Sequence, residues 1–403
     1  IEEAAVPNVD PTFGATTFDS GSTVDDSAAD DTFASLTGRL NASDTDGGTM
    51  TYGGSATGVY GRLVVNANGT FTYIVNNEAS QALTSNATDS FTVSVSDGQG
   101  GTVNTTLAFT IAGENDAPDL VNADRDLVMP RINEDPTGNN GQSVANLLEP
   151  RFTDRDSGAN LGGMLITSND ADAATGAWLY STNGGTNWYN VGAVSTTNAL
   201  ALDDTALIRF SPAPDWNGEA TPLTVYATDN LYAGGYTSGF TANYEADLSA
   251  SGVSSNSIDI GITVVPVNDG PRFDTAPITL GLADTDATDD ADSLVLTGSL
   301  TGTVSATDPE GSAVSYDIRG GSVSGDTWTL QGLYGQLTLD TSTADPSWTY
   351  APNKFDIINA LPEGASVTDV FDIRALDPSG AVGLLPVTVT ITGTNDLPLA
   401  SVD

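Results

Sequence analysis

Apolar and polar residues alternate along most of this chain. Leu107 to Ile111, Ile258 to Val267 and Val387 to Ile391 each place apolar side chains at every second position. That period belongs to a strand with one buried face. Thr, Val and aromatic residues fill the runs, Gly and Asn-Gly punctuate them, and helix formers at helical spacing are scarce. Two aromatic stretches flank Asn183-Gly184-Gly185, from Trp178 to Tyr189, and predict a hairpin. No apolar run approaches the ~20 residues that span a bilayer. The N-terminus lacks the basic-then-apolar pattern of a secretory leader, so Ile1 reads as a processed end or the start of an excised piece.

The pattern repeats. Each of those runs is followed by Asn-Asp-x-Pro, at Asn115-Asp116-Ala117-Pro118, Asn268-Asp269-Gly270-Pro271 and Asn395-Asp396-Leu397-Pro398. The first and third units align further. Tyr60-Gly61-Arg62-Leu63 matches Tyr334-Gly335-Gln336-Leu337, and Thr70-Phe71-Thr72-Tyr73 matches Ser347-Trp348-Thr349-Tyr350. Phe91 to Asp97 matches Phe371 to Asp377, and both Asp97 and Asp377 precede the next linker Asn by 18 residues. In the middle unit Asp229 precedes Asn268 by 39 residues, so an insertion near 231–255 carries Tyr232, Tyr236, Phe240 and Tyr244. The expected architecture is all-β: tandem immunoglobulin-like, cadherin-like β-sandwiches, arranged as an elongated rod. The units expected are 1–117, 118–270 and 271–396, with 397–403 the start of a further repeat or linker.

Composition narrows the chemistry. Of 53 acidic residues 43 are Asp, against 11 basic ones, and the net charge is −42 with no Cys and no His. Thiolate and imidazole catalysis are therefore absent, as are disulfides and ordinary zinc sites. The charge repels nucleic acid. Paired carboxylates suit a glycosidase, but small repeated modules with no cleft-forming insertion make an enzyme the poor reading. Such acidity needs hard cations or a salty medium, and both point outside the cell.

Asp44-Thr45-Asp46, Asp154-Arg155-Asp156 and Asp308-Pro309-Glu310 stand at matched places and turn two carboxylates toward one point. Calcium takes 6–8 oxygens at ~2.3–2.6 Å in irregular geometry, which loop carboxylates and carbonyls supply. Three sites are expected: Asn115, Asp116, Glu134, Asp154, Asp156 and Asp229; Asn268, Asp269, Asp308, Glu310 and Asp377; and Asp44, Asp46 and Asp97. The competing reading is plain turn chemistry, because Asx side chains bond nearby backbone amides. The cluster Asp284, Asp286, Asp289, Asp290 and Asp292 reads as a solvated loop.

With these motifs the linkers and Asp-x-Asp loops resemble bacterial cadherin-like repeats. Units one and three resemble the VCBS repeats of large secreted adhesins, through Tyr-Gly-x-Leu, Asp97-Gly98-Gln99-Gly100-Gly101 and Gly-x-Asn-Asp. Unit two is similar to tandem cadherin-like repeats with Asn133-Glu134-Asp135-Pro136 and Asp215-Trp216-Asn217-Gly218. The resemblance implies an extracellular location, inter-domain calcium, and a spacer or adhesive role at a bacterial cell surface. Neighbouring repeats are the expected partners, with no nucleic acid and no membrane insertion. Two alternatives stand beside it. One is a self-assembling filament, sheath or surface-layer subunit, in which the tyrosine insertion contacts another copy. The other is a module that binds surface glycans or matrix through Trp178, Trp188 or Trp216, although core packing is the commoner use of such rings.

Overall fold

The computed structural model describes residues 7–26, 32–239, 248–284, 294–296 and 300–394, with only the backbone of Asp284 and of 294–296. Phe240, Tyr244, Asp286, Asp289, Asp290, Asp292 and the linker motif at Asn395 lie outside those residues. Two compact units divide between Val265 and Pro266.

The first unit contains two sandwiches. In the first, one sheet orders its strands Thr23–Asp25, Thr102–Ala112, Ala87–Ser96 and Thr51–Gly53. The other orders Thr17–Phe18, Leu36–Arg39, Thr70–Val75, Gly61–Val65 and Ala56–Thr57. Alternation does its work here: Phe91, Val93 and Val95 point inward from one strand, Leu107, Phe109 and Ile111 from its neighbour. They meet Leu63, Phe71 and Tyr73 of the facing sheet, where Tyr73 stacks on Phe109 with ring centres 4.2 Å apart. Thr23–Asp25 runs parallel to the last strand, with Val24 opposite Ile111.

The second sandwich sets Leu127–Val128, Val253–Gly261, Leu223–Asp229, Leu161–Asn169 and Leu200–Asp203 in one sheet. A facing sheet holds Gln142–Ser143, Leu207–Pro212, Gly176–Ser181 and Tyr189–Asn190. The aromatic hairpin forms, with Tyr180 opposite Tyr189. Its turn puts Gly184 and Gly185 at φ of 66° and 85°, left-handed values that glycine adopts without cost. Trp178 is wholly buried against Phe210, and its indole N–H donates to the Thr221 carbonyl at 2.8 Å. Trp178 is therefore core, while Trp188 and Trp216 are half-buried.

The second unit is one sandwich. Leu294–Leu296, Ile278–Asp284, Val382–Thr392, Ser366–Leu376 and Ser315–Ile318 form one sheet. Thr301–Thr303, Ser347–Pro352, Gly335–Asp340, Thr327–Gln331 and Ser322–Ser324 form the other. The Tyr-Gly-x-Leu motif now has its reason. In both matched hairpins the tyrosine ring lies on the glycine of the partner strand, so a Cβ at Gly61 would meet Tyr73 Cζ at 2.4 Å and one at Gly335 would meet Tyr350 Cζ at 2.4 Å. Each tyrosine is tied by its hydroxyl to a buried acid, Tyr73 to Asp89 and Tyr350 to Asp369, both at 2.8 Å.

Candidate metal centre

Three acidic clusters share one hydrogen-bond plan. In the first unit Asn115 Nδ2 donates to Asp229 Oδ2 at 2.9 Å, the Asp116 N–H to Asp156 Oδ2 at 2.8 Å, and the Asp156 N–H to Asp154 Oδ1 at 2.9 Å. In the second unit Asn268 Nδ2 donates to Asp377 Oδ2 at 2.6 Å, the Asp269 N–H to Glu310 Oε2 at 3.1 Å, and the Glu310 N–H to Asp308 Oδ1 at 3.1 Å. The third cluster brings in a residue that sequence reasoning missed. Asn8 Nδ2 donates to Asp97 Oδ2 at 2.9 Å, the Val9 N–H to Asp46 Oδ2 at 2.8 Å, and the Asp46 N–H to Asp44 Oδ1 at 3.4 Å. The readable signal was the Pro at Asn+3, which Asn8-Val9-Asp10-Pro11 shares with the other linkers although Val9 replaces the Asp.

Part of this plan is the turn chemistry weighed above. Asp229 ends its strand and Asp97 and Asp377 directly follow theirs, all three buried, and each uses Oδ1 to hold the turn that follows. Gln99 and Gly101 donate to Asp97, Leu231 to Asp229, Gly380 and Ala381 to Asp377. The backbone N–H of Gln99 and the Asn8 amide hold Asp97 below the ordinary carboxylate range. Burial works against Asp377, yet donors from Asn268, Ala381 and Gly380 bring it below that range as well.

Turn chemistry leaves the rest unexplained. In the first unit Asn115 Oδ1, both carboxylate oxygens of Asp116, Asp154 Oδ2 and Asp156 Oδ1 are buried acceptors with no donor among the described residues. Asp44 Oδ2 and Asp308 Oδ2 share that condition in the other clusters. Burial, with the charges of Asp26, Asp156 and Asp154, pushes Asp116 up to about 7. Burial also pushes Asp156 up to about 6, with Asp154 and Asp229 adding to it, and raises Asp154. Buried acceptors that repel one another and lack donors are destabilising, and a hard cation is their natural complement. Among the described residues no three carboxylates of this group bring oxygens within 4.8 Å of one another.

Asp26 is the second residue that sequence reasoning missed. It comes from the first sandwich, follows the strand Thr23–Asp25, donates its N–H to the Ala112 carbonyl at 3.0 Å and accepts from Gln81 Nε2 at 3.1 Å. The first cluster thus draws on the linker and on sandwiches to both sides of it, and Ser157 N–H reaches the Ala82 carbonyl at 3.1 Å across the same junction.

Glu134 does not belong to this cluster, contrary to the sequence expectation. It follows Ile132–Asn133, which pairs in parallel with Val264–Val265, and its N–H donates to the Val265 carbonyl at 3.1 Å. Its carboxylate accepts from Asn217 Nδ2 at 3.1 Å. Ile260 pairs with Leu223 while Val253 pairs with Thr228, so Glu134 lies at the end of the sandwich remote from Asp229. It occupies in the second sandwich the place that Asp26 holds in the first.

The tyrosine insertion folds onto its own sheet. Tyr232 and Tyr236 pack with Leu248 and Ala250 over Leu165, Ala199, Ala201 and Val253, and the Tyr236 and Thr228 hydroxyls are 2.8 Å apart. Both half-buried rings pack on a small core on the sheet's second face.

In chelator the first cluster gives an unusual pH dependence. Folded Asp116 and Asp156 keep protons up to about pH 7 and 6, whereas unfolded Asp releases them near ~3.9. Between those values the folded chain binds more protons, so stability falls as pH rises through that window. The melting temperature in chelator is expected to climb as the pH is lowered from 8 to 5. Calcium should flatten that climb, because metal requires the deprotonated carboxylates. A melting temperature that falls on acidification would contradict the unpaired burial of these groups.

The chain is thus a series of β-sandwiches, mostly antiparallel, each preceded by an Asn-x-x-Pro segment. Residues 8–113 match the family model of the bacterial cadherin-like domain, so the first sandwich is cadherin-like in sequence. Among solved structures, mouse cadherin-23 EC22–24 aligns at 16% identity over 97% of this chain and 100% of that one, with a TM-score of 0.39. The protocadherin gammaB7 EC3–6 cis-dimer structure aligns at 16% identity over 96% and 74%, with a TM-score of 0.40. Mouse protocadherin-24 EC1–3 aligns at 17% identity over 86% and 91%, with a TM-score of 0.34. None of the curated proteins compared with the chain matches it. Cadherin-like domains are extracellular, non-enzymatic modules of adhesion and structure. Among the described residues no helix is long and apolar enough to cross a membrane.

Proposed function

We propose that this chain is a calcium-stiffened adhesive or spacer segment of an extracellular bacterial surface protein. The five donorless buried oxygens around Asp116 carry the reading, because no group among the described residues satisfies them and a calcium ion would. In the first cluster Asn115, Asp116, Asp154, Asp156, Asp229 and Asp26 would supply ligands. Asn268, Asp269, Asp308, Glu310 and Asp377 form the corresponding cluster of the second unit, and Asn8, Asp44, Asp46 and Asp97 that of the first sandwich. Bound calcium would neutralise the repulsion and fix the angle between the first two sandwiches; without it the linker becomes a swivel. Neighbouring repeats are then the primary partners, and the work is mechanical: to hold an adhesive surface at a set distance.

Small-angle scattering on the full chain tests this directly. In calcium the distance distribution should be sharp and independent of moderate salt. In chelator it should broaden, and the Asp154→Asn, Asp156→Asn double variant should look chelated even in calcium. Identical distributions with and without calcium would sink the stiffening model.

A further inference from the structure

A second unusual site lies in the second sandwich, and its charge is positive. The chain has 53 acids for 11 bases, yet Arg209, on the strand Leu207–Pro212, pairs with no acid among the described residues. Elsewhere Arg374 grips Asp317 with bonds of 2.7 and 2.6 Å, as expected in such a surplus. Arg209 instead donates Nη1 to the Asn139 carbonyl at 2.8 Å and lies 3.9 Å from the centre of the Trp188 ring. Its Nε is buried with no acceptor. Burial lowers its pKa, and no carboxylate offsets that.

A partly desolvated cation without a counter-charge is costly. The ring beneath it returns ~0.5–2 kcal/mol, and one neutral carbonyl adds little more. The surroundings have the form of a site. Trp188, Arg209, Asn139, Asn140, Gly185 and Ser211 line a hollow of about 260 Å³. The loop that walls it is pinned: Asn139 Nδ2 donates to the Phe210 carbonyl at 2.7 Å, and its Oδ1 accepts from the Gly141 N–H at 3.2 Å. Gly141 has φ of +71°, and a Cβ there would meet the Ile208 carbonyl at 2.4 Å and Trp188 Cη2 at 2.9 Å. By contrast the Asn140 amide and the Ser211 hydroxyl make no side-chain hydrogen bond among the described residues.

A planar guanidinium fork suits a carboxylate, and a neighbouring aromatic ring, amide and hydroxyl suit a hydroxylated ring. The volume falls below the ~300–1,000 Å³ of pockets that enclose a whole drug-sized ligand, so it fits one ring. A second copy of this chain is a poor occupant, since its net charge of −42 repels its twin; one sugar unit brings a single charge. We propose that the hollow beneath Arg209 binds one acidic sugar unit, a uronate of a polysaccharide. Arg209 takes the carboxylate, while Asn140 and Ser211 take ring hydroxyls.

Calorimetric titration of the full chain at constant calcium tests the site, with glucuronate, a neutral methyl glucoside and acetate as probes. Glucuronate is expected to bind saturably and more weakly as salt rises, with the glucoside and acetate far behind. Arg209→Gln should weaken glucuronate by about ten-fold or more. Because that change also removes the Asn139 contact, Asn140→Asp is the companion variant. It stands exposed at the rim, leaves the Arg209–Trp188 pair intact and should match the loss by like-charge repulsion with an unchanged melting temperature. The proposal is overturned if no probe binds, if the glucoside or acetate binds as tightly as glucuronate, or if Asn140→Asp binds it undiminished.

Discussion

Calcium at 100 times its dissociation constant is expected to stabilise the chain against unfolding by about 2.7 kcal/mol for each occupied site. For a cooperative unit of one sandwich's size that is a rise in melting temperature of roughly 10 °C. Magnesium at equal ionic strength should do far less, because it holds its waters and demands tighter octahedral order. The sharper test is Asp116→Asn, whose effect should change sign with conditions. In chelator the variant should be more stable than the parent, because it removes a buried charge set among Asp26, Asp156 and Asp154. In calcium it should be less stable, having lost a ligand. A response common to calcium, magnesium and sodium would mean that the carboxylates only solvate the surface.

Asp369→Ala should destabilise the second unit by about 3–5 kcal/mol, at the severe end of single substitutions. The Asp369 carboxylate is 3% exposed and accepts from four donors. These are the Tyr350 hydroxyl at 2.8 Å and the N–H groups of Leu333 at 2.7 Å, Tyr334 at 3.1 Å and Gly335 at 2.9 Å. Removal strands all four. Burial and Asp369 itself push the Tyr350 hydroxyl well above the ordinary tyrosine range, so it remains a donor at any working pH. Hydrogen exchange across 300–394 in a urea series should locate the loss in this sandwich and leave calcium affinity in the first unit unchanged. A loss below ~1 kcal/mol would show that solvent satisfies those donors at little cost.

Asp89 and Asp369 also show what could be read in the chain and what could not. Each stands at an inward position of its strand, two residues before Phe91 or Phe371, where alternation calls for an apolar side chain. An acid on the buried register signals a satisfied internal anchor. Strands and hairpins were legible because alternation and turn chemistry are local. Asn115 beside Asp116, and Asp154 two residues from Asp156, were legible as acidic clusters because neighbours in sequence are local as well. Glu134 was misplaced for the opposite reason. It is close in sequence to the linker at Asn115, but a strand parallel to the last one carries it to the sandwich's other end. Asp26 travels the same way and stands in no motif, so only the fold brings it to Asp116. Tyr232 and Tyr236 had two readings in sequence, and packing on Leu165 and Val253 favours an internal role for them.

The linker asparagines have a practical consequence. Asn8, Asn115 and Asn268 each bond forward, to Asp97, Asp229 and Asp377 of the sandwich that follows. Each Asn-x-x-Pro is thus the head of the next module, not the tail of the last, and the family match running from 8 to 113 has the same phase. The transferable cassette of such an array begins at the asparagine. Recombination or cloning that cuts just upstream of it keeps every hairpin turn with its own fastening, whereas a cut after the proline hands that fastening to the wrong fragment.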